Sequence, residues 1–196
     1  MTTLPSKPPS SETRQRVLEA AIACVRQWGI DKTSLLDIAR QAGVTRPTVY
    51  RYFTSREDVL SAALLQSAAA MAQRLVAHLD GVADPAERFV RAILFLLDDV
   101  PKEPQLSVMT LSSLATYVSE DALINAEGFD LSLLLMKQIM TGVDMAEDAW
   151  REMTEATIRM LLSLLNMAGP VKRDAEAMRG FIIRRMLPMT GLALKS

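Results

Sequence analysis

A 20-residue segment near the N-terminus, SLLDIARQAGVTRPTVYRYF at positions 34–53, constrains the fold of this chain more than any other. Ser34, followed three residues later by Asp37, is typical of a capping box, which begins a helix. Thr45 is a second N-cap residue and begins another short helix, from Arg46 to about Phe53. Gly43 lies between the two helices, where glycine adopts a left-handed turn without steric cost. The segment therefore predicts a helix-turn-helix, in which two short helices cross at a steep angle.

The second helix of this segment is too polar for the interior of a helical bundle. Val49 and Phe53 supply its apolar contacts, while most of its other side chains can contact DNA bases or phosphates. No acidic residue occurs between Gln41 and Glu57, which suits a surface that meets a phosphate backbone. A plain helical hairpin inside a bundle is the alternative, but such a helix would bury more apolar residues. The predicted DNA-contacting residues are Thr45, Arg46, Thr48, Tyr50 and Arg51.

The remainder of the chain also has the apolar spacing of helices. Aromatic residues make up only 5% of the chain and no stretch alternates strictly between polar and apolar residues, so strands are not predicted. Apolar stripes bounded by glycines and prolines predict an all-α chain of about nine helices. Gly128 is a candidate interruption of one of them, over 121–140.

Charge is unevenly distributed along a chain whose formal net charge is −1. Residues 1–60 contain 9 Lys and Arg against 6 Asp and Glu, whereas residues 61–196 contain 13 against 17. A mildly basic head on an acidic body suits a head that meets a polyanion. Random scatter of surface charge is the alternative explanation for a difference of this size.

Composition excludes several classes of site. Cys24 and His78 are the sole residues of their types, so neither a disulfide framework nor a site with two histidines is available. No serine-nucleophile, phosphate-loop or paired metal-ligand motif occurs. We therefore expect no catalytic activity, no cofactor and no metal. The lack of an apolar leader and of about 20 uninterrupted apolar residues predicts a cytoplasmic protein that does not enter a membrane.

The segment TSLLDIARQAGVTRPTVYRYFTSREDVL, at positions 33–60, resembles the signature of the TetR family of bacterial transcriptional regulators. The preceding helix, which ends at Trp28-Gly29, is similar to the first helix of that family, so the resemblance covers about residues 14–60. It implies an all-α homodimer with a three-helix head that binds double-stranded DNA and a larger helical body that dimerises and binds an effector. The corresponding divisions are a flexible arm at 1–11, the helix-turn-helix head at 12–54 and the effector-binding and dimerisation bundle at 55–196.

The same resemblance implies roles for individual residues of the head. Arg46 is the best candidate for reading a guanine, because a guanidinium matches the O6 and N7 acceptors of that base. The tyrosine that contacts a phosphate corresponds to Tyr50, and Arg51 is left open between phosphate and base. The base-reading positions are Thr45, Arg46, Pro47 and Thr48. Ser34 and Tyr52 are further family positions on this surface. Arg56 corresponds to the family's basic residue, usually lysine, that opens the fourth helix and holds a phosphate.

The last two predicted helices have broad apolar faces that favour a dimer interface. Two such helices from each subunit would form a four-helix interface. Packing of both faces inside their own subunit is the alternative. A symmetric dimer would place two recognition helices about 34–36 Å apart, or a multiple of this, on a near-palindromic operator. The predicted interface residues are Ile158, Leu161, Leu162, Leu165, Phe181, Ile182 and Met186.

The middle of the chain is rich in methionine and leucine, and thioethers suit a cavity that accepts varied apolar ligands. Methionines suit an ordinary core equally well. We expect a mostly apolar small molecule whose binding releases a repressor from its operator. A transcriptional activator and an effector-independent repressor of the same fold are the alternatives. The predicted effector-contacting residues are Met71, Met109, Ser113, Tyr117, Met136 and Met140.

Overall fold

The computed structural model describes residues 11–107, 126–167 and 169–194, and these residues form helices and turns with no strand among them. The all-α prediction is therefore confirmed. Two short 3-10 turns lie at Val100–Lys102 and Leu187–Thr190. The α-helices are α1 (Ser11–Trp28), α2 (Leu35–Gln41), α3 (Arg46–Tyr50), α4 (Arg56–His78), α5 (Pro85–Asp99), α6 (Pro104–Ser107), α7 (Ala126–Ile139), α8 (Glu147–Asn166) and α9 (Ala175–Arg185).

The chain divides into two compact units, Met1–Ser67 and Ala68–Ser196, and the division falls within α4. Two predicted helix boundaries are wrong. The recognition helix α3 ends at Tyr50 rather than near Phe53, and Gly128 does not interrupt α7. At Gly128 the backbone carbonyl stays in the helix and also accepts a hydrogen bond from the Ser132 hydroxyl at 2.9 Å. The predicted arm, except for residue 11, and the predicted helices within 108–125 lie outside the described residues.

The core of the first unit forms where α1, α2 and α3 meet. Val17, Ile38 and Val49, one from each helix, have no exposed side-chain surface, and Phe53 is also buried. Burial of such side chains provides roughly 1.5–3 kcal/mol each, which fixes the crossing of three short helices that are marginal alone.

The core of the second unit is formed by α5, α7, α8 and α9, the end of α4 and the turn at Leu187–Thr190. We call the following buried side chains the second-unit core: Leu75, Leu79, Ala86, Phe89, Val90, Ala92, Ile93, Leu133, Met136, Ile139, Met140, Trp150, Met153, Ile182, Met186 and Leu187. Gln105, Thr154, Thr157 and Thr190 are buried polar residues of the same unit.

One arginine connects several helix ends inside the second unit. Arg88 of α5 donates from Nε to the carbonyl of Ile139 at 2.6 Å and from Nη1 to the carbonyl of Leu79 at 2.8 Å. It also donates to the carbonyls of Val82 at 3.2 Å and Gln138 at 3.0 Å. These carbonyls lie at or just beyond the C-terminal ends of α4 and α7. The last carbonyls of a helix have no hydrogen-bond donor within it, and the helix dipole makes this end favourable for a cation.

A second charged contact joins α5 to α9. Glu87 accepts hydrogen bonds from Arg179 at 3.2 and 2.7 Å in a two-pronged arrangement, and from Arg91 at 2.7 Å. The hydrogen bonds from Arg179, followed by those from Arg91, hold the pKa of the Glu87 carboxyl below its ordinary value.

Helix α4 is 23 residues long, and by length and composition alone it could cross a membrane. Core helices of globular proteins have the same properties, and Val59, Leu60, Ala63 and Leu64 of α4 are buried.

Candidate nucleic-acid interface

The start of α2 is fixed by a complete capping box. The Ser34 hydroxyl accepts a hydrogen bond from the backbone N–H of Asp37 at 3.2 Å, and the Asp37 carboxylate accepts one from the backbone N–H of Ser34 at 3.2 Å. A further hydrogen bond from the Ser34 hydroxyl lowers the pKa of the Asp37 carboxyl. The capping predicted from the sequence is present, and it leaves Ser34 exposed at the N-terminal end of α2.

The turn between α2 and α3 depends on Gly43, whose φ of +64° lies in the left-handed region. The neighbouring backbone N–H of Val44 donates to the carbonyl of Ala39 at 3.0 Å. The Arg16 guanidinium of α1 donates to the carbonyl of Ala42 and thereby satisfies the C-terminal end of α2. The turn is consequently held from two sides, which fixes the direction in which α3 leaves it.

Helix α3 begins at the Thr45 cap, where the threonine side chain accepts from the backbone N–H of Thr48 at 3.3 Å. Pro47 occupies the first turn, where a missing N–H has no cost. Val49 is fully buried and attaches the helix to the first-unit core. The opposite side of α3 and its flanks is polar: Thr45, Arg46, Pro47, Tyr50 and Arg51 are exposed, and Thr48 and Tyr52 are half-buried.

Arg46 and Tyr50 lie one helical turn apart and contact each other. Arg46 Nη2 donates to the Tyr50 hydroxyl at 3.1 Å, and the guanidinium carbon lies 5.5 Å from the centre of the phenol ring. The Tyr50 side chain is 47% exposed, so this pair stands on the surface of the unit. Stacking on a phenol restricts the rotamers of an arginine and presents its planar fork outward.

Arg56, by contrast, is turned toward the protein. Its guanidinium donates from Nε to the carbonyl of Thr33 at 2.6 Å and from Nη2 to the carbonyl of Ile30, and Nη1 lies 3.4 Å from the Glu57 carboxylate. Its side chain is only 19% exposed. Arg56 therefore ties the start of α4 to the loop that precedes α2, a role that the sequence did not predict.

The geometry creates one exposed polar strip along α3, flanked by the N-terminal end of α2. Comparisons with known proteins agree with this arrangement. Residues 17–63 match the family model described as bacterial regulatory proteins, tetR family. An HTH-type transcriptional regulator of Mycobacterium bovis is 34% identical over 111 residues, which is 56% of this chain and 57% of the relative.

Residues 17–63 of this chain therefore resemble the N-terminal segment of the TetR family.

Solved structures extend the likeness in fold over most of the chain. A TetR transcriptional regulator from Rhodococcus sp. RHA1 superimposes with a TM-score of 0.67 at 19% identity, covering 94% of this chain and 98% of that one. The multidrug binding protein EbrR, solved with imidazole, superimposes with a TM-score of 0.60 at 23% identity, covering 94% and 96%. Both structures are less than 25% identical to this chain, so these likenesses show its fold alone.

The predicted dimer residues fall into three groups. Ile182 and Met186 have no exposed surface and belong to the second-unit core, so their assignment to an interface is wrong. A side chain already enclosed by its own subunit has no surface left for a partner. Leu161 is half-buried and packs against that core. The remaining four, Ile158, Leu162, Leu165 and Phe181, are half-buried and are not among the described members of the core or of the side chains packed against it.

The predicted effector residues are only partly described. Met136 and Met140 are buried members of the second-unit core, and Met71 of α4 is 4% exposed. Met109, Ser113 and Tyr117 lie outside the described residues.

Sequence reasoning missed two buried threonines of α8. Thr154 and Thr157 are 0% and 3% exposed, and their hydroxyls have no hydrogen-bond partner in the described structure. The signal was available, since both lie at helical spacing from Trp150 and Leu161 on an otherwise apolar face. Among the described residues, no group of His, Cys, Asp and Glu side chains could hold a metal ion.

Proposed function

We propose that this chain is a homodimeric, cytoplasmic transcriptional repressor that binds a near-palindromic operator and is released by a small-molecule effector. The observation that carries the proposal is the strip of exposed polar side chains on α3, attached to a rigid three-helix head by the buried Val49. A short helix that buries one side and presents hydroxyls and guanidiniums on the other suits insertion into a major groove.

The residues of the strip divide by chemistry into two groups. Arg46 is exposed at the first position of α3 and suits the O6 and N7 acceptors of a guanine, with Thr45, Pro47 and Thr48 as its neighbours in the chain. Tyr50, Arg51, Tyr52 and Ser34 suit phosphate contacts, which supply affinity without sequence information. Arg56 supports this surface from behind by holding the carbonyls of Ile30 and Thr33.

Dimerisation is supported by an apolar face on α8 whose side chains stay partly exposed among the described residues. Ile158, Leu162 and Leu165 recur at helical spacing and keep exposed surface, and Phe181 of α9 does likewise. A second copy of the same pair of helices would cover these residues in a two-fold four-helix interface. Two-fold symmetry then explains why the operator should be a near-palindrome.

The effector is supported by the methionine-containing core and by the fold. Met136 and Met140 of α7 lie in the second-unit core, and thioethers adapt to ligands of varied shape. A structural neighbour with this fold is a multidrug binding protein. Because α4 contains residues of both units, a ligand that shifts α4 can alter the head, provided that it prefers the non-binding state by several kcal/mol.

The test is footprinting of the purified protein on the DNA that flanks its own coding region, with a salt titration. The proposal expects two protected half-sites separated by whole helical turns. Arg46→Ala should weaken specific binding by about 10- to 100-fold, the size of one lost bidentate base contact, and relax the preference at one guanine. Lys102→Ala is the matched control, because it removes a cation from the exposed surface of the second unit.

Other results would change the conclusion. Weak binding that depends steeply on salt and leaves no footprint would support phosphate contacts alone. No binding at any salt concentration would overturn the proposal. An operator upstream of the promoter, rather than overlapping it, would make the protein an activator.

A further inference from the structure

Two buried hydroxyls of the second unit make no hydrogen bond within the described structure. Thr154 and Thr157 lie on the core-facing side of α8, which also carries the buried Trp150 and Met153. Threonine in a helix commonly donates to the carbonyl four residues earlier, yet neither hydroxyl makes that bond or any other within the described structure. A buried hydroxyl without a partner lowers the stability of the folded state, so a pair of them calls for an explanation.

The contrast with a third threonine shows that these hydroxyls differ from ordinary buried ones. Thr190 is 2% exposed, and its hydroxyl donates to the carbonyl of Leu187 at 2.7 Å and accepts from the backbone N–H of Leu192 at 3.2 Å. The chain thus satisfies a buried threonine where the hydroxyl serves the fold. Thr154 and Thr157 are instead buried on the helix that carries Trp150 and Met153, and their hydroxyls have no partner within the described structure.

The surroundings limit what can bind to these hydroxyls. A buried water is stable when two to four polar groups hold it, and the other buried polar side chains described in the second unit, Gln105 and Thr190, are already hydrogen-bonded. The buried polar side chains of the described residues include no charged group, so a charged ligand would be left without a counter-ion. A mostly apolar, uncharged molecule with one polar group satisfies both conditions.

We propose that Thr154 and Thr157 are the polar anchors of the effector site, and that the effector is an uncharged, mostly apolar molecule with a hydroxyl or carbonyl group. This inference rests on the effector part of the proposed function and refines it, because it requires a hydrogen-bonding group in the ligand. Hydrogen bonds to the threonines fix the orientation of the ligand, while Met136 and Met140 belong to the apolar core that would receive its body.

The test uses pairs of neutral probes that differ only in their polar group: phenol with toluene, 1-naphthol with 1-methylnaphthalene, and 4-phenylphenol with 4-methylbiphenyl. Binding to the full chain is measured by calorimetry and by thermal shift. For at least one pair the hydroxyl probe should bind wild type about tenfold more tightly than its methyl partner, the size of a net neutral hydrogen bond. In Thr154→Val/Thr157→Val this difference should vanish, while binding of the methyl probe is unchanged within about twofold.

The free protein supplies a readout that needs no ligand. Thr154→Val/Thr157→Val should raise the melting temperature by about 2–6 °C, because it removes two unsatisfied hydroxyls at constant shape. Thr190→Val is the matched control and should lower it, because that hydroxyl is bonded. A lower melting temperature for the Thr154/Thr157 variant, an unchanged preference for the hydroxyl probes, or no binding by any pair would overturn the proposal. Footprinting of the same variant reports separately on the DNA-binding function.

Discussion

Arg88 offers the sharpest test of how the second unit is held together. We consider Arg88→Met, which keeps a long flexible side chain on α5 but removes all donors to the carbonyls of Leu79, Val82, Gln138 and Ile139. Hydrogen bonds from a charged group contribute about 1.5–3 kcal/mol each when their acceptor cannot be rehydrated. Arg88 is half-buried, so water can reach part of the site and the full amount is not expected for all four bonds.

The two shortest bonds, at 2.6 and 2.8 Å, dominate the loss. Together with the lost cation at two helix C-termini, we expect a decrease of roughly 3–5 kcal/mol in the free energy of unfolding. For a chain of this size that lowers the melting temperature by about 6–20 °C. The melting temperature of Arg88→Lys should lie between those of wild type and Arg88→Met, because an ammonium keeps the charge but lacks the planar group that reaches both helix ends.

Calorimetry and urea unfolding at fixed protein concentration measure the effect. Arg91→Met is the matched control, because Arg91 lies on the same helix, is half exposed and pairs only with Glu87 among the contacts described for it. That exposed pair contributes less than about 1 kcal/mol. The reasoning is refuted if Arg88→Met loses less than about 1 kcal/mol, or if Arg91→Met loses as much as Arg88→Met.

Three further perturbations test other parts of the structure. Gly43→Ala should lower the stability of the head by about 1–2 kcal/mol in thermal melts, because the φ of Gly43 is +64°. Gly169→Ala is the control and should have almost no effect, because Gly169 has no positive φ and an added Cβ would make only ordinary contacts. The folded-state pKa of Glu87 is lowered, so its contribution to the free energy of unfolding is complete above its unfolded-state pKa and is lost as pH falls through its folded-state pKa. Glu87→Gln should therefore reduce the slope of the free energy of unfolding against pH between about pH 5 and pH 3. An unchanged slope would contradict the pairing with Arg179. Leu162→Glu should weaken the dimer at least tenfold in sedimentation, because it would bury an unpaired charge, while Ser163→Glu on the exposed side should leave self-association unchanged.

Local signals were sufficient for the head of the protein. Capping residues, a left-handed glycine and a single buried valine act within a few positions of the chain, so Ser34, Gly43, Thr45 and Val49 could be assigned from spacing alone. The end of α3 was predicted three residues too late, because the turn after Tyr50 retains helix-like backbone bonds such as Phe53 N–H to the Val49 carbonyl at 3.1 Å.

Contacts between distant segments could not be assigned in this way. Arg56 matched a phosphate-binding position in the sequence, yet tertiary structure supplies it with the carbonyls of Ile30 and Thr33. Ile182 and Met186 belong to an apolar stripe that periodicity cannot divide between a subunit's own core and a partner. An amphipathic pattern indicates that one face of a helix is buried, but it does not indicate whether the same subunit or a partner buries that face.

The sequence by itself determined the all-α class, the helix-turn-helix and the likeness of residues 17–63 to the TetR family, because caps, turn glycines and helical periodicity are local properties. Tertiary structure alone decided that Arg88 binds the carbonyls at two helix ends, that Glu87 joins α5 to α9, and that Thr154 and Thr157 are buried without a hydrogen-bond partner in the described structure. The physical reason is that burial and hydrogen-bond partners depend on segments up to 92 positions apart, which are brought together only by packing.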